Sequence, residues 1–184
     1  YGRLDLEADQ IAPGSGDLTF LPHFSGRVSP NDPYIRGTWI GLTWSHTRGH
    51  LYRSIMEGIG YEYKLYFDII QQLMGEYEFS DVRVIGGGAN SRVFNSIKSD
   101  ILGRKYAALS VKDAANLGSA IVAGYGVGVF DDFQETLGKI ITVQDEVEPN
   151  LDNHRAYVKQ VRHYDKCLES IGHLLAQSRS GLNQ

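Results

Sequence analysis

The residues best placed to do chemistry follow the short β-branched run Val82-Arg83-Val84-Ile85. That run breaks into Gly86-Gly87-Gly88-Ala89-Asn90-Ser91, and Arg92 to Gly103 then carries Phe94, Ile97, Ile101 and Leu102 at helical spacing. A strand, a glycine turn and a helix in that order put the turn at the carboxyl end of a sheet, where ligands of open α/β folds bind. Glycines open backbone angles closed to other residues and let a flat ligand approach the main chain, and the first amides of the helix are free to meet a polar group. Gly86, Gly87, Gly88, Ala89, Asn90 and Ser91 are therefore candidate ligand-binding residues, and a nucleoside is one ligand they could hold. The glycines would lie against a base, with Asn90 or Ser91 supplying hydrogen bonds. The run is not G-x-G-x-x-G, and no lysine stands at the P-loop position, so the loop need not grip phosphates. A tight turn without a ligand fits the same residues equally well.

Two other groups invite chemistry less strongly. His46 and His50, four apart, could chelate a metal from one helical face, but no third ligand stands near and both are read as structural. Cys167, the only cysteine, excludes an internal disulfide, fits a reducing compartment and has no activating neighbour in sequence. No residue of the chain is assigned a catalytic or metal-binding role.

The elements that would position the loop follow from periodicity. Tyr1 to Asp17 holds no complete element and reads as a leading segment or linker. Because the chain opens at Tyr1 without a methionine, it reads as part of something longer. Leu18 to Pro22 predicts a short buried strand, and Tyr34 to Leu42 an edge strand or an irregular packed segment. Between about Thr47 and Met74, Leu51, Ile55, Ile59, Tyr63, Tyr66, Ile70 and Leu73 mark the inner face of a long helix. Arg53 with Glu57 and Lys64 with Asp68 would support its outer face. Gly58 and Gly60 would mark close backbone packing, since each costs about 1 kcal/mol against alanine inside a helix. Val82 to Ile85 predicts a central strand and Arg104 to Leu109 another. Asp113 would cap a helix from Ala114 to about Gly124, whose small residues Ala115, Gly118, Ser119, Ala120 and Ala123 imply a close neighbour. Val143 to Pro149 reads as extended, a final helix from Leu151 buries Tyr157, Val161, Tyr164, Leu168, Ile171 and Leu175, and 178–184 reads as a frayed tail.

With 184 residues one domain is the default. A net charge of -4 argues against nucleic acid or an anionic membrane as partner. No apolar run approaches the roughly 18 residues of a membrane span, and a cytoplasmic protein is expected.

Taken in order, these segments resemble the carboxyl-terminal domain of the FGGY family of carbohydrate kinases, which includes xylulose and glycerol kinases. The likeness runs from Leu18 to Val129. It is carried by Phe24-Ser25-Gly26 through Pro33, Arg36-Gly37, Gly41-Leu42, Leu51 to Gly58, Gly86 to Ser91, Ser99 to Gly103 and Leu117 to Ala120. It implies an α/β, actin-like (ribonuclease-H-like) ATPase domain over 18–177, with a mixed sheet flanked by helices. It also implies ATP with Mg2+ as cofactors, and a sugar or polyol substrate held by an amino-terminal domain outside this chain. The glycine loop would lie against the adenosine of ATP, and the resemblance leaves room for a homodimer. Neither the family's catalytic aspartate motif nor a D-x-G-T phosphate motif stands in Tyr1 to Asp17, so the implied in-line phosphoryl transfer would draw its base from elsewhere. A non-catalytic actin-like assembly module is the competing reading, and a dinucleotide-dependent oxidoreductase is disfavoured by the glycine spacing.

Overall fold

The structure, a computed structural model, describes residues 1–75, 79, 81–111 and 113–180. Helix α1 (Gly2–Asp9) opens the chain, and strands β1 (Thr19–Leu21) and β2 (Thr38–Ile40) pair antiparallel with Phe20 opposite Trp39. The long helix α2 (Arg48–Met74) leads into β3 (Asp81–Val84), α3 (Arg92–Leu102) and β4 (Lys105–Leu109). Helices α4 (Ala114–Gly126) and α5 (Phe133–Ile140), strand β5 (Val143–Val147) and helix α6 (Leu151–Ser180) follow. β4 lies in the middle of a mixed sheet, parallel to β3 and antiparallel to β5. Among the described residues no helix is long and apolar enough to cross a membrane.

The leading segment is more ordered than its composition implies. α1 has little apolar content and is held by polar ties, which is why it reads as linker. Its carbonyl at Ala8 accepts from Arg53 Nη1 at 3.0 Å, Tyr52 donates to Asp5 Oδ1 at 3.1 Å, and Glu7 pairs with Arg48. The turn after it is pinned too, with Gly14 N and Ser15 Oγ donating to the two oxygens of Glu57 at 2.9 and 2.7 Å.

α2 has the expected bounds but a different inner face. Leu51, Ile55, Ile59 and Tyr66 are half-buried, while Tyr63, Ile70 and Leu73 are exposed. Arg53, Ser54, Met56, Glu57, Gly58, Gly60, Tyr61 and Glu62 are buried instead. Counting apolar residues assigns charged ones to solvent, whereas here they are interior because each has partners. Arg53–Glu57 is accordingly an interior ion pair at 2.8 Å, and only Lys64–Asp68 lies at the surface. The glycines do mark close approach: a Cβ on Gly58 would stand 2.3 Å from the Phe20 carbonyl oxygen, and one on Gly60 2.5 Å from Ile101 Cδ1.

β3 is an edge strand, not the central one. Its only strand neighbour among the described residues is β4, so Val82 and Val84 are half-buried and Ile85 is 50% exposed, while Tyr106, Ala107 and Ala108 of β4 occupy the interior. The small-residue face of α4 also departs from expectation. Ala115, Gly118, Ser119, Ala120 and Ala123 are exposed, and only Ile121 of that helix is buried, because no described element packs there. The final helix behaves as its spacing predicts at Tyr157, Val161, Tyr164 and Leu168, which join Leu21, Ile35, Met56, Tyr61, Ile97 and Ile101 in the main core. α6 continues through Ser180, and the rest of the expected frayed tail, 181–184, lies outside the described residues.

Candidate functional site

The glycine loop is built by a change of backbone direction that only its first residue has to make. Gly86 adopts φ +83, a region that favours glycine, and its carbonyl accepts from Ala89 N at 3.1 Å to close a 3-10 turn over Gly87–Asn90. Ser91 then caps α3, accepting from Phe94 N at 3.1 Å. Its hydroxyl donates to Asp5 Oδ2 at 2.9 Å, so α1 reaches across to fix the end of the loop. Asp5 also receives the Tyr52 phenol; burial, and then the adjacent carboxylate, push that phenol's pKa up and keep it a donor. Asn95 Nδ2 donates to the Ala89 carbonyl at 2.8 Å, while its buried Oδ1 has no hydrogen-bond partner among the described residues.

This loop forms one wall of a cavity of about 550 Å³. Gly86, Gly87, Ala89 and Asn90 supply that wall, and Ala108 to Val111 at the end of β4, Arg92, Gln144 and Asp145 line the rest. Nothing lies within 4 Å of where a Cβ on Gly86 or Gly87 would stand, so the wall is bare backbone open to a flat ligand. Arg92 Nη1 pairs with Asp145 Oδ1 within this lining, and Ser110 Oγ hydrogen bonds to Thr142 Oγ1 at 2.7 Å. The cavity therefore offers backbone, two amide residues, Asn90 and Gln144, and a self-neutralised ion pair rather than a concentration of positive charge. That suits a nucleoside better than bare phosphates.

Four of the six candidate residues thus meet at the cavity. Gly88 instead faces a groove on α2 and β3, and Ser91 is engaged by its cap and by Asp5. Arg92, Ser110, Gln144 and Asp145 complete the lining, and nothing in their local sequence marks them. Arg92 opens α3 directly after the loop, while Ser110, Gln144 and Asp145 arrive through the β4–β5 pairing, with Asp145 opposite Ala108. The two histidines are spent on local structure. His46 Nδ1 accepts from Thr43 N at 2.9 Å, so its protonated Nε2 donates to the Gly16 carbonyl at 3.0 Å, and His50 Nδ1 accepts from Thr47 N at 3.2 Å. Cys167 has His163 Nε2 at 3.5 Å, a neighbour one helical turn away, and burial pushes its thiol up.

Residues 2–127 match the family model described as FGGY family of carbohydrate kinases, C-terminal domain. The xylulose kinase of Staphylococcus epidermidis is 32% identical over 164 residues, which are 89% of this chain and 33% of that protein. A glycerol kinase of Saccharolobus islandicus is 31% identical over 155 residues, 80% of this chain and 30% of the relative. Among solved structures, xylulose kinase from Rhodospirillum rubrum superposes with a TM-score of 0.80 at 25% identity, covering 95% of this chain and 35% of that one. Plasmodium falciparum glycerol kinase with ADP shares the fold at a TM-score of 0.78. The chain spans about a third of the length of these relatives. With its mixed sheet, flanking helices and actin-like ATPase fold, it belongs to the FGGY family of carbohydrate kinases, whose carboxyl-terminal domain it matches.

Proposed function

We propose that this chain is the nucleotide-binding half of an ATP-dependent kinase that transfers the γ-phosphoryl group to a sugar or polyol hydroxyl. The observation that carries the reading is the bare backbone wall at Gly86 and Gly87, facing a cavity of about 550 Å³ in a chain of this family. Bound Mg-ATP would supply the phosphoryl group. The residues here bind and orient it: Gly86 and Gly87 lie against the base, Asn90 offers hydrogen bonds at the same wall, and the Arg92–Asp145 pair lines the same cavity. No magnesium ligand is assigned, and among the described residues no three His, Cys, Asp or Glu side chains cluster as a metal site. The base that accepts the hydroxyl proton and most of the sugar site would come from the remaining polypeptide of a kinase-length protein working in the cytoplasm.

Gly87→Val tests the reading. Gly87 has an ordinary φ and open space at its Cβ, so the variant should melt at the wild-type temperature. Its branched side chain would occupy the wall, and the Kd for a fluorescent ATP analogue should rise at least about tenfold, roughly 1.4 kcal/mol. Gly86→Val should lower both affinity and melting temperature, because at φ +83 and ψ −174 a side chain adds about 1–3 kcal/mol of strain. Unchanged affinity in a folded Gly87→Val protein would mean that the loop is only a turn.

A further inference from the structure

Asn95 lies early in α3, only 2% exposed, and is joined to the end of the glycine loop by its backbone and its side chain. Its N–H donates to the Ser91 carbonyl at 3.0 Å, and its Nδ2 donates to the Ala89 carbonyl at 2.8 Å. Ala89 is thereby held at both ends, because its own N–H donates to the Gly86 carbonyl at 3.1 Å. Among the described residues no other side chain hydrogen bonds to residues 86–90. The tie from Asp5 reaches only Ser91, where the loop ends.

The same amide leaves an acceptor stranded. Asn95 Oδ1 is buried and has no hydrogen-bond partner among the described residues. Turning the amide over would set its oxygen against the Ala89 carbonyl and strand the nitrogen, so the nitrogen is the atom that belongs to the loop. A buried acceptor left unpaired costs at least as much as one ordinary hydrogen bond contributes. Stability alone therefore does not call for asparagine here, and an apolar side chain of similar size would leave the fold as stable or more so. The cost falls on a residue that grips the cavity lining at Ala89 without lining the cavity itself. Local costs of this kind gather where a structure serves a site and not its own stability.

We infer that Asn95 is a positioning residue for the nucleotide. Its side-chain N–H fixes the Ala89 carbonyl, and with it the 3-10 turn that presents Gly86, Gly87 and Asn90 to the cavity. Without that hydrogen bond the turn samples other backbone angles, and the nucleotide must order the loop as it binds. A turn that keeps its shape about a tenth of the time raises the apparent Kd about tenfold. The inference rests on the reading of this cavity as the nucleotide site.

The experiment compares Asn95→Leu, Ile97→Val and Gly87→Val in the 184-residue chain. It reads the Kd for a fluorescent ATP analogue, the nucleotide-free melting temperature and hydrogen exchange at Ala89. Asn95→Leu should bind about tenfold more weakly, melt at or above the wild-type temperature and exchange the Ala89 amide faster without nucleotide. Asn95→Ala, which also lacks the donor, takes its place if leucine does not fit. Ile97 is just as buried on α3 but belongs to the main core, so Ile97→Val should melt lower and bind as wild type does. Wild-type affinity in the Asn95 variant beside a weakened Gly87→Val overturns the positioning role alone. Wild-type affinity in Gly87→Val overturns the nucleotide reading and this inference with it. A similar loss of affinity in Ile97→Val would make binding follow stability and overturn the inference. An Ala89 amide exchanging at the wild-type rate in a weak-binding Asn95 variant would do the same.

Discussion

Glu57 and Glu62 lie five residues apart on α2, both nearly inaccessible, and each receives a tyrosine hydroxyl from α6. Tyr157 donates to Glu57 Oε1 and Tyr164 to Glu62 Oε1, both at 2.8 Å. Arg53 completes the first cluster, reaching Tyr157 at 2.7 Å, while His23 and Arg27 complete the second, each 3.2 Å from Glu62. Burial by itself would raise the Glu62 pKa. Hydrogen bonds from His23 and Tyr164 and the Arg27 charge outweigh it and hold the carboxyl below the usual value of 4.5. A carboxylate depressed in the native state adds stability that is present above its unfolded pKa and lost as pH falls through its native one. Glu62→Gln should therefore lower the free energy of unfolding by about 3 kcal/mol at pH 7, because it leaves buried partners unpaired. It should also flatten the loss of stability below pH 4.5, measured by urea denaturation between pH 7 and 3. An acid slope identical to wild type would assign that loss to other groups.

At the scale of elements, α2 organises the fold by letting its neighbours touch its backbone. Gly58 meets the Phe20 carbonyl of β1, a main-chain atom fixed by pairing with β2, whereas Gly60 meets the terminal methyl of Ile101 on α3. The two glycines should respond differently to alanine. Gly58→Ala forces strand and helix apart and should cost about 2 kcal/mol or more, in the range of overpacked cores. At Gly60 a rotation of Ile101 can make room, and alanine's helix preference of about 1 kcal/mol offsets the strain. Gly60→Ala should thus fall within about 1 kcal/mol of wild type in the same denaturation assay. Equal losses at both sites would show that α3 holds Ile101 as rigidly as the sheet holds Phe20.

Across the whole molecule, burial is concentrated in two places. The main core joins α1, β1, α2, α3 and α6, and a smaller cluster of Leu102, Tyr106 and Val147 lies beneath the mixed sheet. Outside both clusters, α4 presents Val122 and Tyr125 to solvent beside its small residues. The candidate nucleotide cavity sits at the end of the mixed sheet, lined by the glycine loop and by residues of β4 and β5. The purified chain should bind ATP analogues yet release no ADP in a sugar-dependent manner, measured by a coupled assay with xylulose or glycerol. Sugar-dependent turnover abolished by a substitution within the chain would overturn that division of labour.

Much of the element order was legible in local sequence. Asp113 marks a helix start because its side chain accepts an N-terminal amide, and Gly86 marks the turn because its backbone angle favours glycine, whereas the capping role of Ser91 emerged only in the structure. The bounds of α2 and the inner face of α6 follow from periodicity, and the ordered family motifs identify the domain. Local sequence could not show which half of α2 faces inward. Arg53, Glu57 and Glu62 become interior only through partners up to 104 positions away, and a periodicity count has no means of seeing a satisfied charge. Nor could it place β3 at the edge, since a strand's neighbours are chosen by chain topology and not by its own side chains. The lining of the cavity at Gln144 and Asp145 exists only because β5 returns antiparallel beside β4. Short-range rules of capping, turns and spacing were thus written into the sequence, and the long-range pairing of charges and strands was decided in three dimensions.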